Sequence, residues 1–427
     1  MKVLVIGSGG REHALAWRAA ASTRVHKVFV APGNAGTARS RKVENVDISV
    51  SDTDELITFA HAQSVDLTIV GPEDPLVGGI VDRFQSEGLR IFGPTAAAAQ
   101  LEGSKTFTKE FLQRYQIPTG ASESFTDFAA AKAYIQAQGA PIVVKADGLA
   151  AGKGVVLAQT VDEAVAAANS MLNEGRFGDA GTRVLIEEFL TGEEASFIVV
   201  SDGTNIAPMA SAQDHKARDD GDGGPNTGGM GAYTPAPVID GALHARIMET
   251  IIQPTINGMA ADGQPFVGFL FAGLMVSEDG EPYVLEFNCR MGDPETQAIM
   301  MRLKSDLVGL CESAIEGTLD QHQPEWDERV ALGVVMAAGG YPEEYAKGDV
   351  ISGLDDTLDD TMVFHAGTKN GPSGTQTNGG RVLCVCALGD SVAEAQARAY
   401  ERVAQIQWDN VYFRRDIGYR AVARERG

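Results

Sequence analysis

The chain has little cysteine, little positive charge and no long apolar run, and each shortage removes a class of function. Four cysteines, Cys289, Cys311, Cys384 and Cys386, are too few for a disulfide framework, and no C-x-x-C pair with a matching His or Cys partner suggests zinc. Cys384 and Cys386 lie two apart in the apolar run R-V-L-C-V-C-A-L, which points to packing on one strand face. Nothing approaches the roughly 20 consecutive apolar residues that cross a bilayer. Met1 to Ile6 leads into a strand and glycine turn rather than a signal peptide, so the expected location is the cytoplasm. With 35 Lys and Arg against 58 Asp and Glu, the net charge is −23. That balance repels nucleic acid and anionic membranes unless a basic stripe overrides it, and the sequence has no such stripe. A small anionic substrate remains compatible, because its binding needs only a few positioned cations and N–H groups. Internal repeats, low-complexity tracts and long linkers are also missing.

What is present is a 427-residue chain, 44% hydrophobic, too long for one ordinary core and sized for roughly two to four units. The first hundred residues alternate short apolar strands with helices at Arg11 to Ala21 and near Thr53 to Ala62, the pattern of a parallel, helix-covered sheet. Ligands gather at the carboxyl ends of such strands. Here those ends carry the turns Gly7 to Gly10, Pro32 to Gly36, Gly71 to Pro75 and Gly93-Pro94. A helix from Ser104 to Arg114 precedes a second unit with a strand at Pro141 to Ala146, a helix at Val161 to Leu172 capped by Thr160 with Glu163, and a strand at Val184 to Leu190. Mostly strand follows from Glu194 to Cys289, with Asp-Gly turns at 202–203 and 279–280 and a helix at about Ala242 to Ala261. The last hundred residues predict strands at Val330 to Ala337, Val363 to Ala366 and Arg381 to Leu388, then a helix from Val392 to Ile406 capped by Ser391 with Glu394.

Three stretches carry chemistry. The loop G-S-G-G-R-E after the first strand lacks the full dinucleotide fingerprint, since Glu12 stands where glycine is required, and this ranks a nicotinamide dehydrogenase last. What remains is a tight turn and a helix N-terminus, a cradle for an anion. On P-Y-V-L-E-F-N-C, alternation places Tyr283, Leu285 and Phe287 on one face and Glu286 and Asn288 together on the other. Two oxygen ligands then project together, as a hard cation such as Mg²⁺ requires. If the extended conformation persists, Arg290 lies on the same face and can counter phosphate charge. The run Q-D-H-K-A-R-D-D-G-D-G-G-P-N-T-G-G-M-G-A-Y, Gln213 to Tyr233, makes a poor core element, and its backbone N–H groups suit an anion nest. Lys145 interrupts an apolar strand, an awkward place for an ammonium without an anionic partner.

Together with V-L-E-F-N-C-R-M-G-D-P-E-T-Q and Y-F-R-R-D-I-G, these motifs resemble the glycinamide ribonucleotide synthetase family of the ATP-grasp superfamily, essentially from end to end. The resemblance implies an α/β multidomain architecture: an N-terminal parallel-sheet domain (1–103), an ATP-grasp region (104–325) with a lid at about 119–191, and a C-terminal α+β domain (326–427). It implies ligation of glycine to 5-phosphoribosylamine with ATP, through an acyl phosphate, in purine biosynthesis. ATP would meet Lys105, Lys145 and the flap glycines and lysine Gly152, Lys153 and Gly154. Its adenine would be read by the segment Glu187, Phe189, Leu190, and its ribose by Glu193 or Glu194, with Glu194 favoured. Glu286 and Asn288 would hold Mg²⁺ or Mn²⁺, and Arg290, Lys145 and Asp293 would act on the reacting groups. Gly9, Gly10, Arg11, Gly33, Asn34, Asp214, Asn226, Thr227, Gly228 and Gly229 would line the phosphoribosylamine and glycine region. Asp293 and Glu295 would orient the amines, and His215 reads as a positioning group. Relatives commonly carry a basic residue where Ala217 stands, and Arg218 follows one position later. Another ATP-grasp ligase would lack the paired G-G-R-E-H and G-P-N-T-G-G-M-G segments. A non-catalytic nucleotide binder would be expected to have lost Glu286, Asn288 or Arg290. The expected partners are the small-molecule substrates, with transient contact with the upstream purine-pathway amidotransferase left open.

Overall fold

The structure is a computed structural model that describes residues 1–148, 154–174 and 178–426. The N-terminal strands form an all-parallel sheet in the order Val43–Asn45, Lys27–Pro32, Lys2–Gly7, Leu67–Val70, Ile91–Phe92. Alternation along the first strand divides its side chains between two cores. Leu4 and Ile6 join Phe29, Phe84 and Phe197, while Val3 and Val5 join Leu15, Phe269 and Met300. Both faces are therefore dry, the condition that makes a parallel sheet stable. Its fifth strand is locked to the centre of the molecule by Phe92, which meets Phe269 edge to face at 4.8 Å.

A small antiparallel sheet, ordered Ser122–Phe125, Val184–Glu188, Ile142–Ala146, Val155–Ala158, packs the helices Phe128–Gln138 and Val161–Leu172 around a core of its own, including Ile135, Val144, Ala168 and Ile186. The expected capping box is there: Thr160 accepts from Glu163 N while Glu163 accepts from Thr160 N. The central antiparallel sheet runs Ile206–Pro208, Glu193–Asp202, Val267–Val276, Pro282–Asn288. The last sheet runs Gln213–Asp214, Gly231–Thr234, Val330–Ala337, Arg381–Gly389, Thr361–His365, so both ends of the glycine-rich segment are strands of the C-terminal sheet. Cys384 and Cys386 are buried there with their sulfurs 3.7 Å apart.

Three sequence expectations change. The helix expected at Ala242 to Ala261 is Gly241–Ile247, a π turn Met248–Ile252, and Gln253–Ala261. Pro254 has no N–H to donate, so the ladder opens beside it. The strand ending at Leu190 stops at Glu188, and the helix expected to reach Ile406 ends at Val403. Phe128–Gln138, Glu295–Arg302 and Leu307–Glu316 are among the helices that lie where none was expected. Among the described residues no helix is long and apolar enough to cross a membrane.

Candidate active site

Lys145 sits mid-strand, nearly buried, and its ammonium has the anionic partner that such a place demands. Its Nζ lies 2.9 Å from Glu187 Oε2. The same oxygen is 3.3 Å from Lys109 Nζ, and Lys109 also donates to Thr119 Oγ1 at 2.6 Å. Lys105, one helical turn before Lys109, donates to Gly148 O at 2.9 Å. Burial lowers both Lys105 and Lys109 by more than the neighbouring Glu286 and Glu187 raise them. Two ammonium groups thus converge on one carboxylate oxygen, and Lys105 lies within the field of the same acid. Glu187 contributes its side chain to this cluster, while Phe189 and Leu190 follow it half-buried. Gly154 N–terminal to its strand accepts from Ala146 N at 2.8 Å, and Gly152 and Lys153 lie outside the described residues.

The strand Pro282–Asn288 does not alternate as expected. Its partner register jumps from Leu274↔Val284 to Gly273↔Glu286, leaving Leu285 as the extra residue of a bulge. Val284 and Phe287 are therefore the pair in the core, rather than Tyr283, Leu285 and Phe287. Glu286 and Asn288 still flank Phe287, both half-buried. Burial would raise Glu286, but Lys216, Lys145, Lys105 and Arg290 outweigh it and hold the carboxyl below its usual range. Among the described residues no hydrogen bond to the Asn288 side chain is made. No group of three or more His, Cys, Asp or Glu side chains there could hold a metal. An ionised carboxylate and a free amide are a fitting pair for a hard cation that takes the rest of its shell from phosphates and water.

Lys216 joins this pair to the rest of the site. Its Nζ is 2.8 Å from Glu194 Oε2 and 3.9 Å from Glu286 Oε1. Burial alone would lower Lys216, but Glu194, Glu286 and Asp214 hold it well above its usual range. Glu193 points the other way, to Arg424, because neighbours on a strand face opposite sides; of the two acids, Glu194 is on the site. Asp214 is pushed up to about 8 by burial and by the charge of Glu295. Glu295 is also raised by burial, although Ser196 Oγ donates to its Oε1 at 2.8 Å. Two carboxyl groups competing for one negative charge suit an amine ligand.

The strand ends at Asn288, so Arg290 lies in a bend rather than in extended structure. Its Nη2 is 2.8 Å from Glu102 Oε1 and its Nε 3.1 Å from Glu73 Oε2. Arg11 Nη1 lies 3.9 Å from the same Glu73 oxygen and donates to Met291 O. The expected anion cradle at Gly9, Gly10 and Arg11 is met by the chain's own carboxylates: Gly9 N donates to Glu12 Oε2 at 2.6 Å, and Arg11 Nε donates to Glu12 Oε1. Burial would raise Asp293, but Arg381 and Arg11 outweigh it and lower its pKa. Gly33, at φ +72°, turns the second loop, and the Asn34 amide serves that loop. It donates to Ser8 O and His365 O and accepts from Gly36 N and Thr37 N.

The glycine-rich segment is not an anion nest. Thr227 N donates to Lys216 O, Gly228 N to Tyr341 Oη, Gly229 N to Thr227 Oγ1 and Met230 N to His215 O, so its N–H groups are already paired within the chain. Asn226 is exposed and pairs with Ala217 in a two-stranded ladder. His215 is buried and held in place: its Nε2 accepts from Gly418 N at 3.1 Å, leaving Nδ1 to donate to Gly231 O. Burial and Arg414 lower it to about 4. Arg218 pairs with Asp219, and the group reaching the Ala217 carbonyl is the buried Arg414.

Sequence reasoning did not single out Lys109, Glu73, Glu102, Ser196 or Arg381, and it left Lys216 without a role. Lys109 had a readable signal, its i, i+4 spacing from Lys105 on one helix. Arg381 had none, because its contacts come from distant segments.

Models of the phosphoribosylglycinamide synthetase N domain, ATP-grasp (A) domain and C domain match residues 1–102, 103–296 and 331–420. The chain is 62% identical over 426 residues to a phosphoribosylamine–glycine ligase of Vibrio parahaemolyticus, covering 100% of this chain and 99% of that one. It is 61% identical over 427 residues to one of Escherichia coli O157:H7, covering both in full. The crystal structure of phosphoribosylamine–glycine ligase from Thermotoga maritima superposes with a TM-score of 0.84 at 32% identity, covering 98% of this chain and 100% of that one. A biotin carboxylase from Campylobacter jejuni shares the fold alone, at TM-score 0.75 and 14% identity over 96% and 92% of the two chains. The chain belongs to the phosphoribosylglycinamide synthetase family.

Proposed function

We propose that this chain uses ATP to join the carboxylate of glycine to the amino group of 5-phosphoribosylamine, giving glycinamide ribonucleotide, ADP and phosphate in the second step of de novo purine biosynthesis. The observation that carries this reading is the position of Lys216. One ammonium links Glu194, on the nucleotide side, with Glu286, the oxygen ligand, and lies in the field of Asp214. Groups for phosphate and groups for an amine thus share one site.

A carboxylate is a poor electrophile, so it is activated first. One oxygen of glycine's carboxylate attacks the γ-phosphorus, ADP leaves, and glycyl phosphate forms. Lys105 and Lys145 hold the phosphates, with Glu187 fixing Lys145 and Lys109 anchoring Glu187, and Arg290 counters the charge on the transferring group. Mg²⁺ or Mn²⁺ held by Glu286 and Asn288 would supply further charge neutralisation. Glu194 accepts the ribose hydroxyls, and the segment Glu187, Phe189, Leu190 meets the adenine. The phosphoribosylamine nitrogen then attacks the acyl carbon and phosphate leaves. Asp214 and Glu295 orient the amine, and the proton that the nitrogen loses goes to the departing phosphate or to solvent. Asp293, Arg11 and the Gly228-Gly229 turn line the amine side.

The separate core of the small sheet supports a lid at about 119–191 within the region 104–325, set between an N-terminal domain at 1–103 and a C-terminal domain at 326–427. Its loop at 148–154, with Gly152, Lys153 and Gly154, would cover the phosphates. The chemical lability of a glycosylamine supports transient delivery from the upstream amidotransferase. The test is ADP release by the purified protein, which should require both glycine and phosphoribosylamine. ADP release indifferent to both would overturn the reading.

A further inference from the structure

The C-terminal sheet contributes a guanidinium to the junction of two segments assigned to the amine side. Arg381 Nη1 donates to Gly228 O and to Asp293 O, each at 2.6 Å, and lies 3.4 Å from Gly229 O. Its Nη2 lies 3.5 Å from Asp293 Oδ2. The turn is held on its other edge by Tyr341, whose hydroxyl accepts from Gly228 N at 3.1 Å. There is no slack around these contacts. A Cβ on Gly228 would fall 3.0 Å from the guanidinium carbon of Arg381, and one on Gly229, at φ +111°, 2.5 Å from Pro294 Cδ.

We propose that Arg381 is a positioning residue for phosphoribosylamine, one that sets where the Gly228-Gly229 turn stands relative to Asp293. A planar guanidinium can serve several carbonyls and a carboxylate at once, whereas an ammonium on a flexible stem cannot hold that geometry. Without it, the Gly228 and Asp293 carbonyls lose a charged donor and Asp293 loses its strongest counter-charge. Asp293 keeps its bond to Gln297 Nε2 at 2.7 Å and the nearby charge of Arg11. The predicted fault is therefore a displaced subsite and not a collapsed fold. The nucleotide groups Lys105, Lys145 and Glu194 make none of these contacts, so ATP binding should be spared.

This inference rests on the ligase reading above, and one set of kinetics separates the two. Steady-state KM values for ATP, glycine and phosphoribosylamine, the last formed in situ from ribose 5-phosphate and ammonia, are measured for the full-length protein, Arg381→Gln and Arg381→Lys. The expected result for Arg381→Gln is a KM for phosphoribosylamine raised roughly 10- to 100-fold, with the ATP KM within about twofold of the parent. Arg381→Lys should show the same split at a smaller size, and it decides the matter if Arg381→Gln does not fold. KM values that rise together for all three substrates, or a KM for phosphoribosylamine that does not move, would overturn the role of Arg381. A parent protein that does not turn over phosphoribosylamine would instead overturn the functional reading.

Discussion

Arg290 and Glu102 form a partly buried ion pair of 2.8 Å, and the second oxygen of Glu102 accepts the N–H of Cys289, the residue before that arginine, at 2.7 Å. One carboxylate thus fixes both the side chain of Arg290 and the backbone just before it.

That pair predicts a pH dependence. Burial and the charge of Glu73 push Glu102 up to about 7, against the opposing pull of Arg290 and Arg11 and the Cys289 N–H. Above about 7 it is a carboxylate that holds Arg290. Below that it gains a proton and the ion pair is lost. The kcat/KM profile should therefore fall on the acid side with an apparent pKa near 7. Glu102→Gln keeps the shape, removes the titration, and should give a lower but flat profile from pH 5.5 to 8. An acid limb unchanged in the variant would assign the titration to another group.

Glu286→Gln should lower kcat by at least roughly 100-fold, since losing even an outer-sphere partner of a metal costs 10- to 100-fold, while circular dichroism and Tm stay near the parent's. EDTA should abolish turnover in the parent, and added Mg²⁺ or Mn²⁺ should restore it. A variant as active as the parent at limiting metal would remove Glu286 from the cation site.

Lys145 and Lys109 share Glu187 Oε2, so either lysine alone leaves the acid paired. Lys145→Met should cost about 1–3 kcal/mol of stability, less than the 3–5 kcal/mol of breaking an isolated buried pair, and should raise the KM for ATP. Glu187→Gln, which strands two ammonium groups, should be the more damaging change. Denaturant titrations of both variants decide the order, and the reverse order would mean that Glu187 does not organise the cluster.

The acyl phosphate predicts where oxygen goes. Glycine labelled with ¹⁸O in its carboxylate should give one labelled oxygen per phosphate released and retain the other in the amide. Mass spectrometry of the phosphate reads this directly. Unlabelled phosphate alongside normal product would exclude attack of the carboxylate on phosphorus.

Much of the site was legible because its chemistry is local in sequence. Glu286 and Asn288 sit two apart on one strand, and Lys145 advertises itself by interrupting an apolar run. Reading failed where a single extra residue changes the outcome. The bulge at Leu285 moved Val284 into the core in place of Leu285, and bulges depend on the partner strand. It failed again at the glycine-rich turn, whose N–H groups looked available because their acceptors, such as Tyr341 Oη, lie far along the chain.

The sequence by itself determined the alternating strands and helices of the first hundred residues, the capped helix after Thr160, and the placing of Glu286 and Asn288 on either side of Phe287 in one strand, since periodicity and residue chemistry act over a few positions. Tertiary structure alone decided which charges meet. Glu102 faces Arg290, Lys216 lies between Glu194 and Glu286, and Arg381 clasps Gly228 and Asp293. Each of these contacts joins segments far apart in the chain, and nothing local to either segment encodes the distance at which folding will place them.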